Sequence, residues 1–205
     1  GIFDAVAWNI PAWSISTEFG AYLAFPFMAI LTNRLVHSIW LHMLLIFVLC
    51  AAIALLFRTV GYTSLGNGIP DIGLARCVLE FGIGVLTASL FMNLRDTLFK
   101  AKAWLLVAST ALIVAGVASH APDYIFCPLA FAILVIYFAS SPEWAHPVLG
   151  KGVLFFLGEI SYSTYLVHYL IKDWVKFPSA HIGLLQFTVY IAVVFAASVA
   201  LYRYI

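Results

Sequence analysis

Long runs of apolar residues, separated by short polar stretches, cover almost the whole chain. A membrane-crossing helix needs about 20 mostly apolar residues to span roughly 30 Å of hydrocarbon. About seven segments approach that length: 11–32, 39–57, 74–92, 103–119, 124–139, 153–171 and 183–201. The turn-rich or charged stretches between them predict loops at the membrane surfaces, for example 61–73, 93–102 and 140–152. Because the apolar runs are continuous rather than alternating, the sequence predicts an all-α fold, a polytopic transmembrane helical bundle.

The composition supports a membrane protein and excludes several other classes. Of 205 residues, 64% are hydrophobic and only 9% are charged, whereas a soluble domain carries about 25% charged residues. The net charge of +1 comes from scattered basic residues, which argues against nucleic-acid binding. The three cysteines form no C-x-x-C pair, and the histidines lack metal-ligand spacing, so we expect no disulfide framework, no metal and no bound cofactor.

The basic residues also predict an orientation. If the spans alternate, one side receives the larger set: Arg34, Arg95, Lys100, Lys102, Lys151 and Arg203. The other side receives Arg58, Lys172 and Lys176, with Arg76 at a helix entrance. The richer side should be cytoplasmic. The chain begins with Gly rather than Met, and we expect it to be an internal piece of a longer protein, incomplete at both ends. If the parent protein starts in the cytoplasm, this orientation requires an odd number of spans before Gly1.

Ionisable residues inside membrane spans are costly and often mark functional sites. Glu18 stands at the mouth of the first span, after Trp13, Ser14 and Ser16. One interpretation is a polar stripe that points into the bundle. The other is an ordinary helix start, with a tryptophan at the interface and an acidic residue favoured by the helix dipole.

Arg76 and Glu80 are four residues apart, so they share one helix face. They form either a structural ion pair or a site where the planar guanidinium meets a carboxylate, a phosphate or an oxyanion.

The sixth span carries the densest polar pattern. Ser161, Tyr165 and His168 stand at i, i+4 and i+7 and share a face, with Tyr162 beside them. The histidine is either a satisfied core group or part of a site. Under the predicted orientation, Glu18, Arg76, Glu80 and His168 all fall toward the extracytoplasmic half, which predicts a cavity open outward.

These residues resemble motifs of the acyltransferase 3 family of bacterial membrane O-acyltransferases. Residues 11–18, followed by Tyr22 and Phe25-Pro26, are similar to W-S-L-S-V-E-x-x-x-Y-x-x-F-P, and residues 156–168 are similar to L-G-x-I-S-Y-S-x-Y-L-x-H. Arg76, Phe81 and Gly84 resemble the R-x-x-x-x-F-x-x-G span, and residues 202–205 resemble the stretch just before a terminal Glu-x-Pro. The resemblance covers nearly the whole chain in order, as a central and C-terminal portion of the domain over 1–205.

The resemblance implies a parent of about ten spans in the bacterial cytoplasmic (inner) membrane, in contact with membrane lipid. It implies transfer of an acyl group, typically acetyl, from acyl-CoA to hydroxyls of cell-surface carbohydrates or related acceptors. A catalytic histidine would lie on a span before Gly1 and act as the general base, with Glu18 orienting it or balancing its charge. The oxyanion donor would be Arg76 or the group of Tyr162, Tyr165 and His168.

The site residues expected in this chain follow from these motifs. Glu18 and His168 are assigned catalytic roles, and a larger set is assigned to substrate binding: Trp13, Ser14, Ser16, Arg76, Ser161, Tyr162 and Tyr165. The chain departs from the family pattern at Phe19 and Gly20, where many members have Glu and Gln, and at Glu159, where Lys is common. Donor or acceptor preference is therefore expected to differ from that of better-known members.

Two other functions remain open from the sequence. A carrier for a small solute would also place Arg76, Glu80 and His168 inside the membrane, although no pair of Gly/Pro-broken half helices suggests an inverted repeat. The third possibility is a bundle scaffold that is inactive by itself. The acceptor, the acyl chain length and the oligomeric state are not predicted.

Overall fold

The computed structural model describes residues 13–35, 38–176 and 183–204, and these ranges contain helices and short connections but no strand. Seven helices follow one another in the described part: α1 Trp13–Leu35, α2 Ile39–Val60, α3 Ile69–Ala118, α4 Asp123–Ala139, α5 Pro142–Leu149, α6 Gly152–Lys176 and α7 Leu184–Tyr204. The predicted all-α helical bundle is confirmed.

Four of these helices, α1, α2, α3 and α7, are long and apolar enough to cross a membrane. α4 has 17 residues and is shorter, whereas α6 has the length but carries Glu159, His168 and several hydroxyl groups. Large apolar side chains point outward, among them Trp40, Met92 and Leu184, each at least 79% exposed. An apolar surface of this extent suits contact with lipid rather than water.

Helix α3 must turn back on itself. Its 50 residues would measure about 75 Å if straight. Yet the backbone of Leu65, just before α3, donates a hydrogen bond to Asp123 at the start of α4. Gly116, near the end of α3, packs against the ring of Phe126, which follows Asp123 by only three residues. Both ends of α3 therefore reach the start of α4. The polar stretch 93–102 separates the two apolar halves of α3, so the direction can reverse there without breaking an apolar span.

Two predicted loops contain helix. Residues 93–102 belong to α3, and α5 occupies most of 140–152, so the expectation of non-helical loops there is wrong. The physical reason in 93–102 is composition: the stretch holds Leu, Arg and Lys, which favour helix, and contains neither Gly nor Pro. The loop between α2 and α3 is confirmed over 61–68, whereas its predicted part 69–73 belongs to α3.

The chain divides into two compact units, one containing α1 from Ile15 onward with α2 to α4, and the other containing most of α5 with α6 and α7. In the first unit, an apolar core forms where α2, α3 and α4 meet, and Phe57 and Tyr124 stack in it with ring centroids 4.9 Å apart. His42 is also buried, between the carbonyl of Ser38 at 3.0 Å from Nδ1 and the hydroxyl of Ser89 at 2.9 Å from Nε2.

Candidate functional site

Arg76 and Glu80 lie one turn apart near the start of α3, with Arg76 Nε 3.7 Å from Glu80 Oε1. Arg76 Nη1 also donates a hydrogen bond to the backbone carbonyl of Leu65. The arginine side chain is 16% exposed and the glutamate side chain 38%. The predicted pairing on one helix face is confirmed, and its cation sits in a mostly buried position.

The loop that meets Arg76 connects α2 to α3. Gly61 begins it in the left-handed conformation, φ +83°, and its N–H donates to the carbonyl of Phe57 to close α2. Tyr62 donates its hydroxyl proton to the carboxylate of Asp71. That hydrogen bond, and the negative charge of Asp71, hold the pKa of Tyr62 above its usual value. The loop is thus tied to the first turn of α3.

A second carboxylate holds the middle of the same loop. Asp123, the first residue of α4, accepts the N–H of Leu65 at Oδ1 over 2.8 Å and the hydroxyl of Ser64 at Oδ2 over 2.9 Å. The Leu65 peptide is therefore bound on both sides, because its carbonyl accepts from Arg76.

A cavity of about 590 Å³ lies between α3 and α4, and Leu65, Arg76 and Glu80 line it together with mostly apolar side chains. Along α3 it extends from Arg76 to Phe91, a rise of about 22 Å. Gly84 and Ala88 leave room in its wall, since they stand four residues apart on one face. The volume falls within the range of small-molecule sites, and the charged pair lies toward one end.

Thr87 is a polar group in this apolar wall that the sequence analysis missed. It is 3% exposed, and its hydroxyl makes no hydrogen bond within the part of the chain that the structure describes. A buried hydroxyl without a partner costs about 1–3 kcal/mol and calls for an explanation, such as a bound molecule. Thr87 follows Glu80 by about 10 Å of helix rise.

Cys77, next to Arg76, connects the charged pair to α1. Its thiol forms a hydrogen bond with the hydroxyl of Thr17 in α1. Since Glu18 follows Thr17 and Arg76 precedes Cys77, the two segments that carry these predicted site residues lie side by side. Neither Cys77 nor Thr17 was predicted, because no sequence spacing signals a contact between two helices.

The aromatic residues of two family-like motifs also meet. Tyr22 and Phe25 of α1 each contact Phe81 of α3 edge to face, with ring centroids 6.3 and 5.9 Å apart. The motif around Glu18 and the motif around Arg76 therefore form one packed surface.

The predicted polar face of α6 has mixed surroundings. Tyr162 and Tyr165 are 47% and 36% exposed, and Ser161 donates to the carbonyl of Gly158 at 2.6 Å. His168 is half-buried, with Nδ1 2.6 Å from the carbonyl of Tyr165. Because a carbonyl oxygen only accepts, Nδ1 is the donor in this contact.

Other side chains of α6 hold α7. Tyr202 donates to Glu159 Oε2 at 2.8 Å, and Thr164 donates to Ser198 Oγ at 2.9 Å. Ser198 is fully buried and donates onward to the carbonyl of Val194 at 2.6 Å. Sequence reasoning missed Thr164 and Ser198, whose pairing depends on the helix packing.

Replacement of Ser198 by alanine is expected to lower the free energy of unfolding by about 1 kcal/mol, because Thr164 loses a buried acceptor. Thermal unfolding of the full-length protein in detergent measures the effect. Thr188→Ala is the matched control, since Thr188 also bonds within α7, to the carbonyl of Leu184, but is exposed. A loss no larger than that of the control would contradict the structural role of this contact.

The remaining predicted residues stand at the start of α1. Ser14 is half-buried and Ser16 is exposed, and the side chain of Trp13 lies outside the described part of the chain. Glu18 and Arg76 belong to the first unit, and the α6 residues belong to the second. Across the residues that the structure describes, no three His, Cys, Asp or Glu side chains converge to hold a metal ion.

Apolar helices of membrane-spanning length indicate an integral membrane protein, and its cavity, with an ion pair in the wall, is large enough for a small molecule. The family model for the acyltransferase 3 "Acyltransferase domain" matches residues 1–203. The chain belongs to this family, and the resemblance predicted from its motifs is confirmed. No curated protein and no solved structure matches the chain.

Proposed function

We propose that the protein is a membrane O-acyltransferase that moves an acyl group from acyl-CoA to a hydroxyl of a cell-surface carbohydrate or related acceptor. The family supports acyl transfer. The observation that supports acyl transfer at this site is the cavity between α3 and α4, with Arg76 and Glu80 in its wall. Acetyl is the acyl group that the family pattern implies, and the bacterial inner membrane is the proposed location.

The proposed reaction needs two kinds of protein group, a base and a hydrogen-bond donor. The acceptor hydroxyl oxygen attacks the thioester carbonyl carbon, a C–O bond forms, the C–S bond breaks, and coenzyme A leaves as the thiol after taking up the proton. A base must receive the hydroxyl proton, and a donor must stabilise the negative charge on the carbonyl oxygen.

Arg76 is the proposed oxyanion donor. Its guanidinium is always charged and planar, and the low exposure of the side chain strengthens its field, because little water competes. Glu18 is proposed to orient the acceptor or the base, since Thr17, beside Glu18, contacts Cys77, beside Arg76. His168 is proposed as a further catalytic residue, because it stands in the family-like motif of residues 156–168.

The cavity is proposed to hold the acyl donor. Its apolar wall suits the hydrocarbon parts of an acyl thioester, and the Thr87 hydroxyl offers a hydrogen bond to one of its polar groups.

Thr87→Val tests this role, because valine keeps the shape and removes the hydroxyl. The expected result is a KM for acyl-CoA raised about fivefold, from the loss of one hydrogen bond, with kcat little changed and thermal stability equal or higher. Thr110→Val is the control, an exposed threonine on the other half of α3. If Thr87→Val lowers stability and leaves KM unchanged, the hydroxyl serves the fold and not the donor.

The function itself is tested by transfer of radiolabelled acetyl from acetyl-CoA to surface glycans in membranes that carry the full-length protein. Glu18→Ala and His168→Ala, at matched abundance, are expected to lose labelling. The exposed residues Asp96 and His146 provide control alanine variants that should keep it. Absence of transfer by the wild type to any glycan, lipid or small hydroxyl acceptor, together with saturable solute flux that needs no acyl-CoA, would favour a carrier instead.

A further inference from the structure

Two hydrogen bonds connect α4 to the guanidinium of Arg76 through one loop residue, and a third holds its neighbour. Asp123 Oδ1 accepts the N–H of Leu65 at 2.8 Å, and the carbonyl of the same Leu65 accepts from Arg76 Nη1. Asp123 Oδ2 accepts the hydroxyl of Ser64 at 2.9 Å, so both carboxylate oxygens hold this loop. Asp123 thus lies two contacts away from the cation in the cavity wall.

This connection matters because one partner of Arg76 is a loop carbonyl. Gly61, Gly66 and Gly68 occur in the same loop, and glycine gives a backbone more freedom than other residues. A carbonyl on such a loop cannot by itself fix a long, flexible arginine side chain, whose rotamers are costly to restrict. Asp123, on a packed helix, holds both the Ser64 hydroxyl and the Leu65 N–H, so the backbone that enters Leu65 is restrained, and its carbonyl can take fewer positions than on a free loop.

We propose that Asp123 is a positioning residue for Arg76, acting through the Leu65 peptide. The inference rests on the proposed function, in which Arg76 stabilises the oxyanion. Because oxyanion stabilisation depends on donor geometry within a fraction of an ångström, loss of this support lowers kcat more than it raises KM. Asp123→Ala is expected to reduce kcat about tenfold or more.

A simpler role for Asp123 is available, and the variants separate the two. Asp123 lies in the first turn of α4, where a negative charge stabilises the helix dipole. Asparagine loses that charge but still accepts from Leu65 and can donate to Ser64. Asp123→Asn therefore restores kcat if Asp123 positions Arg76, and it resembles Asp123→Ala if only the charge matters.

The chain offers a matched control on the same loop. Asp71 is an acidic residue in the first turn of α3, and it accepts the hydroxyl of Tyr62. Asp71→Ala releases one loop contact without removing the support of Leu65. We expect it to leave kcat within about twofold of the wild type.

The experiment uses the full-length protein with two readouts. Hydrogen exchange of the segment 61–68, followed by mass spectrometry, reports the Leu65 N–H directly, and transfer kinetics with acetyl-CoA report Arg76. Exchange is expected to rise at least about tenfold in Asp123→Ala and to stay near wild type in Asp123→Asn. In an Arg76→Lys background, Asp123→Ala should add no further loss of kcat, since the two residues act in series.

Each outcome decides a separate point. Unchanged exchange in Asp123→Ala overturns the contact with Leu65. An equal loss of kcat in the wild-type and Arg76→Lys backgrounds overturns positioning through Arg76. If the wild type transfers no acyl group, the proposed function and the catalytic part of the inference both fail, whereas the exchange data still decide whether Asp123 holds the loop.

Discussion

Arg76→Ala is expected to reduce kcat for acyl transfer about 100-fold or more, the effect of removing a donor from an oxyanion site. The loss should fall on kcat rather than on KM, because the proposed interaction strengthens only as charge develops on the carbonyl oxygen. The free energy of unfolding should change little, since the carboxylate of Glu80, left without Arg76, is 38% exposed and water can solvate it. Steady-state kinetics with the full-length protein in membranes measure the change.

Two further variants sharpen this test. Arg76→Lys keeps the charge and loses the planar fork, so its activity should lie between those of the wild type and the alanine variant. Arg58→Ala, at an exposed position in the last turn of α2, is the control for the loss of one positive charge. Wild-type kcat in Arg76→Ala would exclude this residue as the donor and move attention to the tyrosines of α6.

Gly116→Ala should lower the stability of the protein. An added Cβ would overlap the ring of Phe126, which packs directly on the glycine backbone. Overpacking of this kind costs about 1–3 kcal/mol, and we expect the upper part of that range because a ring cannot move aside as a flexible chain can. Thermal unfolding in detergent and the yield of folded protein report the effect.

Gly84→Ala is the matched control for this change. It is the same substitution in the other half of the same helix, but the new methyl group meets nothing within 4 Å. Alanine favours helix over glycine by about 1 kcal/mol, so Gly84→Ala should be neutral or stabilising. Equal unfolding temperatures for the two variants would show that α3 and α4 do not pack closely at Gly116.

Helix positions and helix faces were predictable from the sequence, because they depend on local periodicity. The apolar runs located six of the seven helices, and the spacing of Arg76 and Glu80 placed them on one face. α5 was not predicted, since its eight residues form too short an apolar pattern to stand out from a loop. The helix over 93–102 could not be predicted from charge, because charged residues occur both in loops and in exposed helices.

The site could be predicted only where a single helix carries it. Contacts of Cys77 with Thr17, of Asp123 with Leu65, and the unpaired hydroxyl of Thr87 all depend on which helices become neighbours. Leu65 and Asp123 are 58 residues apart in the sequence, and no local pattern predicts a contact over that distance. The proposed catalytic roles of Glu18 and His168 come from the family pattern and stay predictions.

The fold-back of α3 has a consequence for how the protein is made. The 17 residues of α4 rise only about 25 Å, less than the roughly 30 Å of a bilayer core, so lipid alone holds this helix poorly. Its support comes from α3, through the Phe126 ring on Gly116 and the hydrogen bond from Ser109 to the carbonyl of Ala130 at 3.0 Å. During synthesis the ribosome completes both halves of α3 before α4 emerges, so a helical hairpin is already available as a template. The wall that closes the cavity is therefore expected to enter the membrane after α3, and only once α3 has inserted.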